Sequence, residues 1–379
     1  RHFDVPVLVM SATVPDAAQE FYRIGTLAED TSDLERTRCI LHDAGSADEP
    51  DDIAPLLRSI AEDETPAAIV YANTVKRALA YYDWFRENTR IDPILYHSRF
   101  TEPDKKRVER ELINALGQKA WDPDHDETLP GGVAILTQIG EMSLNISAPV
   151  MVSELCPYDR LAQRAGRLGR FEGMDAGDLY VVEPTRKGDL YPAPYGEYEQ
   201  GDDGSEGQWI VGRALEETRE RLQFTPHSAQ DFINAVDTLY PDDKSFSPST
   251  DRIQTNQNRL HEHLQDDWLI VSARHSDEET GSTDDWKSRD IPPQVTVLTQ
   301  CPERFDSYAD YRAFEQECGV SVPKYQLKTA QRLGRLPTEK KRFDVADETE
   351  TAWYSSVYTP SEGLILDQKR DRSRRDRFL

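Results

Sequence analysis

Within eight residues, Gln163-Arg164-Ala165-Gly166-Arg167-Leu168-Gly169-Arg170 gathers three guanidiniums and one carboxamide. On a continuous helix, Gln163, Arg167 and Arg170 at i, i+4 and i+7 share one face, and Leu161, Ala165 and Leu168 remain for packing. The planar fork of arginine grips phosphate oxygens in two places. Phosphoryl transfer gains mainly from positioning and charge stabilisation, and an arginine finger contributes about 10³–10⁵ in rate. A solvated basic helix face has the same spacing, so the finger reading needs support from elsewhere in the chain.

That support lies upstream. The apolar strand Val133 to Leu136 runs into Thr137-Gln138-Ile139-Gly140-Glu141-Met142-Ser143-Leu144-Asn145-Ile146, and a second strand, Val150 to Leu155, precedes the arginine helix, predicted over Leu161 to Arg167. Ligands of open α/β sheets bind beyond the carboxyl ends of the strands, which is where these polar residues fall. The elements that position them alternate. Strands are predicted at 5 to 10, Thr37 to Leu41, Ala67 to Tyr71, Ile94 to Tyr96 and Asp178 to Val182. Helices are predicted at Asp16 to Leu27, Ile53 to Ile60, Thr74 to Asn88 and Asp104 to Leu116. Strands spaced by helices of this length give an α/β fold with a doubly wound parallel sheet. Beyond Glu183 the texture becomes Pro- and Gly-rich, with helical patches at Gly212 to Leu222, Ala229 to Leu239 and Gln257 to Leu264. A final segment carries a strand at Val295 to Leu298 and a helix at Tyr308 to Cys318. The length of 379 residues favours two or three domains.

The net charge of −25, from 70 acidic and 45 basic residues of which 12 are lysine, has the wrong sign for binding by bulk phosphate neutralisation. It suggests adaptation to high salt, as in a halophile, where a carboxylate-rich surface stays hydrated. Contact with nucleic acid then rests on local basic groups and backbone donors. No apolar run approaches the roughly 20 residues of a membrane span, and the start lacks the pattern of a secretory signal, so a cytoplasmic location is expected. Cys39, Cys156, Cys301 and Cys318 lack metal-ligand spacing and are expected to be reduced. The chain opens at Arg1 on a strand already under way, which predicts further sequence upstream.

Other features have plainer readings. His42-Asp43, His261 with His263, and the acidic run Asp122 to Glu127 are read as surface residues, so no metal site is assigned. Six basic residues between Lys369 and Arg377 suit a frayed terminus or a nucleic-acid or partner contact. Tyr82 and Trp84 are expected in the core; Trp209, Trp268, Trp286 and Trp353 suit core packing or base stacking.

Ser11-Ala12-Thr13, the segment Thr137 to Asn145, and Gln163 to Arg170 match in order and spacing the SAT, fifth and sixth motifs of superfamily 2 helicases. Within that superfamily the chain resembles the CRISPR-associated helicase-nuclease of type I interference systems. The resemblance rests on Tyr96-His97-Ser98-Arg99-Phe100, Thr137 to Leu144 and Glu154-Leu155-Cys156-Pro157-Tyr158-Asp159, with support from Arg289-Asp290-Ile291-Pro292 and Tyr358 to Leu364. It implies the end of a first RecA-like domain (1–30), a second RecA-like motor domain (31–185), a linker with a helical insertion (186–288) and a small C-terminal accessory domain (289–379).

The resemblance implies an ATP-dependent single-stranded DNA translocase moving 3′ to 5′, this chain supplying the arginine-finger half of the ATP site. Arg167, Arg170 and Gln163 are then catalytic. Asn145, Ser143 and Arg164 would contact nucleotide, Thr137, Asn73, Ser98 and Arg99 would contact DNA, and Ser11 and Thr13 would couple nucleotide state to domain movement. The family usually has Asp where this chain has Asn145, and often again at Ser147, which leaves hydrogen bonding but removes charge. No Gly-Lys-Ser/Thr loop and no DExH or DExD box occurs, so the phosphate cradle and Mg²⁺ ligands for ATP are expected upstream. Implied partners are single-stranded DNA, an RNA-guided surveillance complex, and upstream RecA-like and HD nuclease domains. Two alternatives stay open: a superfamily 2 DNA or RNA helicase unrelated to CRISPR, and a non-catalytic nucleic-acid-binding or regulatory module.

Overall fold

Ala67-Ala68-Ile69-Val70-Tyr71 contains no charged residue, and in the computed structural model it is β2 (Ala67–Tyr71), buried at every position. Such strands are covered by helices on both faces. The structure describes residues 14–22, 33–122, 131–142, 144–199, 208–242, 294–332, 338–346 and 348–366. They divide between two units, Arg1–Pro241 with Pro360–Glu362, and Asp242–Thr359 with Gly363–Leu379.

In the first unit, α1 (Asp16–Tyr22) precedes β1 (Thr37–Ala47), α2 (Ala54–Ala61), β2, α3 (Val75–Asn88), β3 (Ile94–Tyr96) and α4 (Glu102–Leu116). Then come β4 (Gly132–Leu136), β5 (Val150–Glu154), α5 (Tyr158–Ala165), β6 (Gly177–Arg186) and β7 (Asp189–Leu190). The short pair β8 (Glu197–Glu199) and β9 (Gln208–Ile210) leads to α6 (Arg213–Arg221), β10 (Pro226–Ser228) and α7 (Ala229–Leu239). The sheet order is β10-β1-β6-β5-β2-β4-β3. All neighbours from β1 to β3 are parallel, and β10 closes one edge antiparallel.

Alternate residues of each strand face opposite layers. Ile69, Tyr71, Ala134, Leu136, Met151 and Leu179 join a core with residues of α4, α5, α6 and α7. Their neighbours Ala68, Val70, Val133, Ile135 and Val152 join a second core with α2 and α3. The parallel α/β fold read from the sequence is thus present. Tyr82 and Trp84 are buried, as expected, and the Trp84 indole N–H donates to Asp51 at 2.7 Å.

The structure corrects several boundaries. β1 runs to Ala47 instead of stopping at Leu41, because β6 pairs along it as far as Pro184. Residues 213–239, read as linker and insertion, pack Leu215, Phe232, Val236 and Leu239 into the first unit's core. The signal was visible: Phe232, Val236 and Leu239 sit at i, i+4 and i+7. Ser228 and Asp231 form a capping box that starts α7.

The second unit has a sheet of order β12-β11-β14-β13, made of β11 (Gln294–Leu298), β12 (Gly319–Pro323), β13 (Thr338–Val345) and β14 (Glu348–Ser355). Helices α8 (Tyr308–Cys318) and α9 (Lys324–Arg332) accompany it, and Val297, Val320, Val322, Leu327 and Ala330 form its core. Trp353 packs against this core. The expected helix at 257–264, His261, His263, Trp268, Trp286 and the basic terminus lie outside the described residues. No helix among the described residues is long and apolar enough to cross a membrane.

Candidate functional site

The arginine segment does not stay helical. Helix α5 ends at Ala165, Gly166 caps it, and the chain continues through tight turns closed by Arg167 N to Arg164 O and Leu168 N to Ala165 O. The expected shared helical face of Gln163, Arg167 and Arg170 is therefore replaced by a turn, which sends the arginines in different directions. Gly169 makes this turn possible, for its φ is +50° and a Cβ there would meet the Asp175 carbonyl oxygen at 2.6 Å. Arg36 braces the turn from β1's approach, donating to the carbonyls of Gly169 at 2.9 Å and Met174 at 3.0 Å.

Arg164 is fully buried, and all five of its N–H groups are engaged. Its Nε donates to Glu141 Oε1 at 2.9 Å, Nη1 to Ser153 Oγ at 2.9 Å and the Glu154 carbonyl at 3.0 Å, and Nη2 to Asn73 Oδ1 at 3.1 Å and the Tyr195 hydroxyl at 3.0 Å. Its guanidinium also lies 5.0 Å from the centroid of the Tyr71 ring. The nucleotide contact expected of Arg164 is corrected: a guanidinium with every donor spent inside the protein has none to offer a ligand. Asn73, expected to contact DNA, also turns its side chain inward, its Oδ1 accepting from Arg164. It is buried, its Nδ2 donates to the Leu155 carbonyl at 2.8 Å, its N–H donates to Glu154 Oε2 at 2.7 Å and its carbonyl accepts from Gln138 at 2.6 Å. Both residues tie together the carboxyl ends of β2 and β5 and the turn after β4.

Arg167 is also buried, at 6% exposure, with its Nη atoms donating to the carbonyls of Leu144 and, at 2.8 Å, Glu141. Arg170 faces solvent. Its Nε donates to Asn145 Oδ1 at 2.9 Å, its Nη1 to the Gly166 carbonyl at 3.2 Å and its backbone N–H to Ser147 Oγ at 3.2 Å. Neither Arg167 nor Arg170 makes an ion pair among the described residues, although acidic side chains outnumber basic ones by 70 to 45. Partial burial first, then the like charges of Arg167 and Arg38, push the Arg170 pKa down. An anion beside it relieves that strain on the charged form. Gln163 is half-buried beside this turn.

Thr137 is buried where β4 gives way to the short turn Gln138–Glu141, and its N–H donates to the Tyr96 carbonyl at 3.3 Å. Ser98 is exposed and Arg99 half-buried after β3, on the same edge of the sheet. His97, just before them, is fixed as one tautomer: the Arg99 N–H donates to its Nδ1 at 3.1 Å, so Nε2 carries the proton given to the Glu362 carbonyl at 3.1 Å. Ser143, Ser11 and Thr13 lie outside the described residues. Sequence reasoning assigned no site role to Tyr195, Glu141, Ser153 or Glu154; of these, Glu154 carried a signal as an acidic residue ending an apolar strand, and Glu141 as one in the polar stretch after β4.

Burial pushes the Cys39 and Cys156 thiols up to about 12, so both stay protonated and unreactive. His42 Nε2 donates to Asp178 Oδ1 at 2.7 Å, and its ring stacks on Tyr180. Both observations keep these residues out of the site.

A parallel sheet flanked by helices, with Arg167 and Arg170 on the turn after α5, resembles a RecA-like domain. Residues 64–173 match the family model described as CRISPR-associated nuclease/helicase Cas3, C-terminal. The Cas3 endonuclease/helicase of Escherichia coli (strain K12) is 26% identical over 211 residues, 53% of this chain and 22% of that protein. A Cas3 protein of Methanocaldococcus jannaschii is 39% identical over 101 residues, 27% of this chain and 13% of that protein. Among solved structures, T. fusca Cas3 with AMPPNP shares the fold, with a TM-score of 0.54 at 18% identity over 92% of this chain and 44% of that one. A chain of a CRISPR RNA-guided surveillance complex in a pre-nicking state gives a TM-score of 0.51 at 16% identity, over 88% of this chain and 45% of that one. Residues 64–173 are thus similar to the C-terminal part of the Cas3 nuclease/helicases. The chain spans under a quarter of the curated relatives and under half of the structural ones.

Proposed function

We propose that this chain supplies the arginine-finger half of an ATP-dependent single-stranded DNA translocase of CRISPR type I interference. The observation that carries the proposal is Arg170: a solvent-facing guanidinium without an ion pair among the described residues, bonded to the neutral Asn145, its backbone N–H donating to Ser147 Oγ, on a turn that Gly169 makes possible. A neutral partner aims the guanidinium while leaving its charge uncompensated, which suits it to a developing phosphoryl charge. When bound, ATP with Mg²⁺ supplies the phosphoryl group whose transfer to water drives the motor. Arg170 and Gln163 face it from this domain, and Arg167, bonded to the carbonyls of Glu141 and Leu144, reaches phosphate only by giving them up.

Ser98, Arg99 and the Thr137 turn, on the carboxyl edge, form the DNA track of this domain, with movement 3′ to 5′. The upstream RecA-like and HD nuclease domains complete the ATP site and the cutting site, and an RNA-guided surveillance complex delivers the DNA. Structural neighbours support the ATP site and the surveillance complex, one being a Cas3 with AMPPNP and another a chain of a CRISPR RNA-guided surveillance complex. The test is DNA-stimulated ATP hydrolysis by the full-length protein in high salt. Arg170→Ala is expected to lower kcat by about 10³-fold or more with nucleotide affinity little changed. Undiminished turnover in that variant removes the basis of the finger assignment.

A further inference from the structure

Tyr191 and Trp209 line a cavity of about 270 Å³ in the first unit, together with Arg186, Asp189, Pro192 and Gln208. Two hairpins make it. β6 continues past its neighbours to Arg186, turns through Lys187 and Gly188, whose φ angles are 58° and 87°, and returns as β7. A two-residue turn with both φ values positive matches the twist of paired strands. Asp48 clasps it, accepting from the N–H of Lys187 at 2.7 Å and of Gly188 at 3.3 Å. The β8–β9 pair presents Gln208 and Trp209. The cavity therefore sits beyond the carboxyl end of β6, on the sheet edge that also carries Thr137 and Ser98.

The lining has the chemistry of a flat heteroaromatic ring. Tyr191 and Trp209 are half-buried and offer ring faces for stacking, while the Asp189 carboxylate and the Gln208 carboxamide can accept from and donate to the polar edge of a base. The Arg186 guanidinium lies 6.0 Å from the centroid of the Tyr191 ring, at the mouth, where it suits a phosphate. Charge favours this mode of binding. A chain of net charge −25 gains little from bulk phosphate neutralisation, whereas stacking releases few counterions and persists when salt screens charge. The wall is also anchored: Tyr195, four residues after Tyr191, accepts from Arg164 at 3.0 Å and Gln138 at 3.3 Å.

We infer that this pocket takes one unstacked nucleobase of single-stranded nucleic acid, deepening the DNA-track reading on which it rests. The test uses the full-length protein and a short labelled oligothymidylate followed by fluorescence anisotropy at two salt concentrations. Trp209→Ala is expected to weaken binding roughly 5- to 100-fold, Trp209→Phe to restore most of it, and the salt slope to stay unchanged, since no phosphate contact is lost. Because a variant can fail to fold, the unmodified protein is also tested with oligonucleotides carrying one abasic position, which should show one position of marked loss. Crosslinking of an oligonucleotide containing 5-iododeoxyuridine should map to Tyr191 or Trp209. Tight binding by wild type with no abasic effect and no crosslink in residues 186–209 overturns the pocket while the DNA track stands. Failure of wild type to bind the oligonucleotide overturns both.

Discussion

Arg164 offers a sharp test, because its sequence position reads as a nucleotide contact and its surroundings read as a keystone. Truncation to Ala strands the buried Glu141 carboxylate together with Ser153 Oγ, the Glu154 carbonyl, Asn73 Oδ1 and the Tyr195 hydroxyl. Glu141 Oε2 already has no hydrogen bond, and its nearest remaining cation is Arg160 at 3.6 Å. Leaving one member of a buried ion pair uncompensated costs about 3–5 kcal/mol, a large share of a domain stability of roughly 5–15 kcal/mol. Arg164→Lys keeps the charge but brings three donors to five acceptors. Two unmet acceptors at about 1 kcal/mol each put its cost near 2 kcal/mol. Amide hydrogen exchange in β2 and β5, which end on this residue, reads the effect locally. For Arg164→Ala those amides should exchange roughly 10²- to 10³-fold faster, and for Arg164→Lys about 30-fold faster. Combining Arg164→Met with Glu141→Leu should cost less than the two changes summed, because no charge is then stranded. Wild-type exchange in Arg164→Lys, accompanied by a raised KM for ATP, would refute the keystone and return Arg164 to the nucleotide.

Three further outcomes follow from the same geometry. Asn145→Leu should lower ATPase kcat several-fold, by loss of a hydrogen bond worth about 1 kcal/mol to Arg170, and should have no further effect in an Arg170→Ala background; additive losses would mean that Asn145 touches nucleotide directly. The bond from Thr185 first, then those from Gly188 and Lys187, hold the Asp48 carboxyl below its ordinary value. A depressed folded-state pKa gives stability that is present above the unfolded value of about 3.9 and is lost as pH falls through the folded one. The stability difference between wild type and Asp48→Asn, from urea unfolding, should therefore shrink as pH drops below about 4, and a difference constant from pH 3 to 7 would contradict this. Of the four cysteines only Cys301 is exposed, so one thiol should react rapidly with Ellman's reagent in the native chain and the rest after unfolding; rapid reaction of Cys156 would show that the core around Arg164 opens readily.

The sheet was legible because burial on both faces leaves an unmistakable pattern. Ala67 to Tyr71 and Val133 to Leu136 are apolar runs bounded by polar ones, and a parallel strand has few other ways to be written. The end of α5 was not legible, although its cause was present. Gly166 and Gly169 break the helix, yet an i, i+4, i+7 pattern of polar residues looks the same whether or not the backbone stays helical. The different fates of adjacent arginines were invisible for a deeper reason. Whether a guanidinium is buried depends on what other segments bring to it, and Glu141, Asn73 and Tyr195 come from 23, 91 and 31 residues away. In the second unit, the strand Thr338 to Val345 was not predicted, since Lys340 and Lys341 interrupt its apolar pattern. Its strand character comes from pairing with β14, where Lys340 sits over Trp353 at 5.2 Å.

The division of labour among the three arginines explains why the site has two kinds of neighbour. Arg164 and Arg167 bond to Glu141 and Leu144, so these two residues are held against α5 and the following turn. Asn145 and Ser147, the next polar residues along that same stretch, then hold Arg170 by its side chain and its backbone. Buried charge thus sets the frame and neutral groups set the finger. The order could not be reversed: a carboxylate inside the frame is neutralised by Arg164 at 2.9 Å, whereas a carboxylate at Asn145 would meet a half-exposed guanidinium and compete with phosphate for it. On the arginine-finger proposal, the neutral side chains of Asn145 and Ser147 would leave the charge of Arg170 to phosphate and position it by hydrogen bonds, which high salt screens far less than it screens an exposed ion pair.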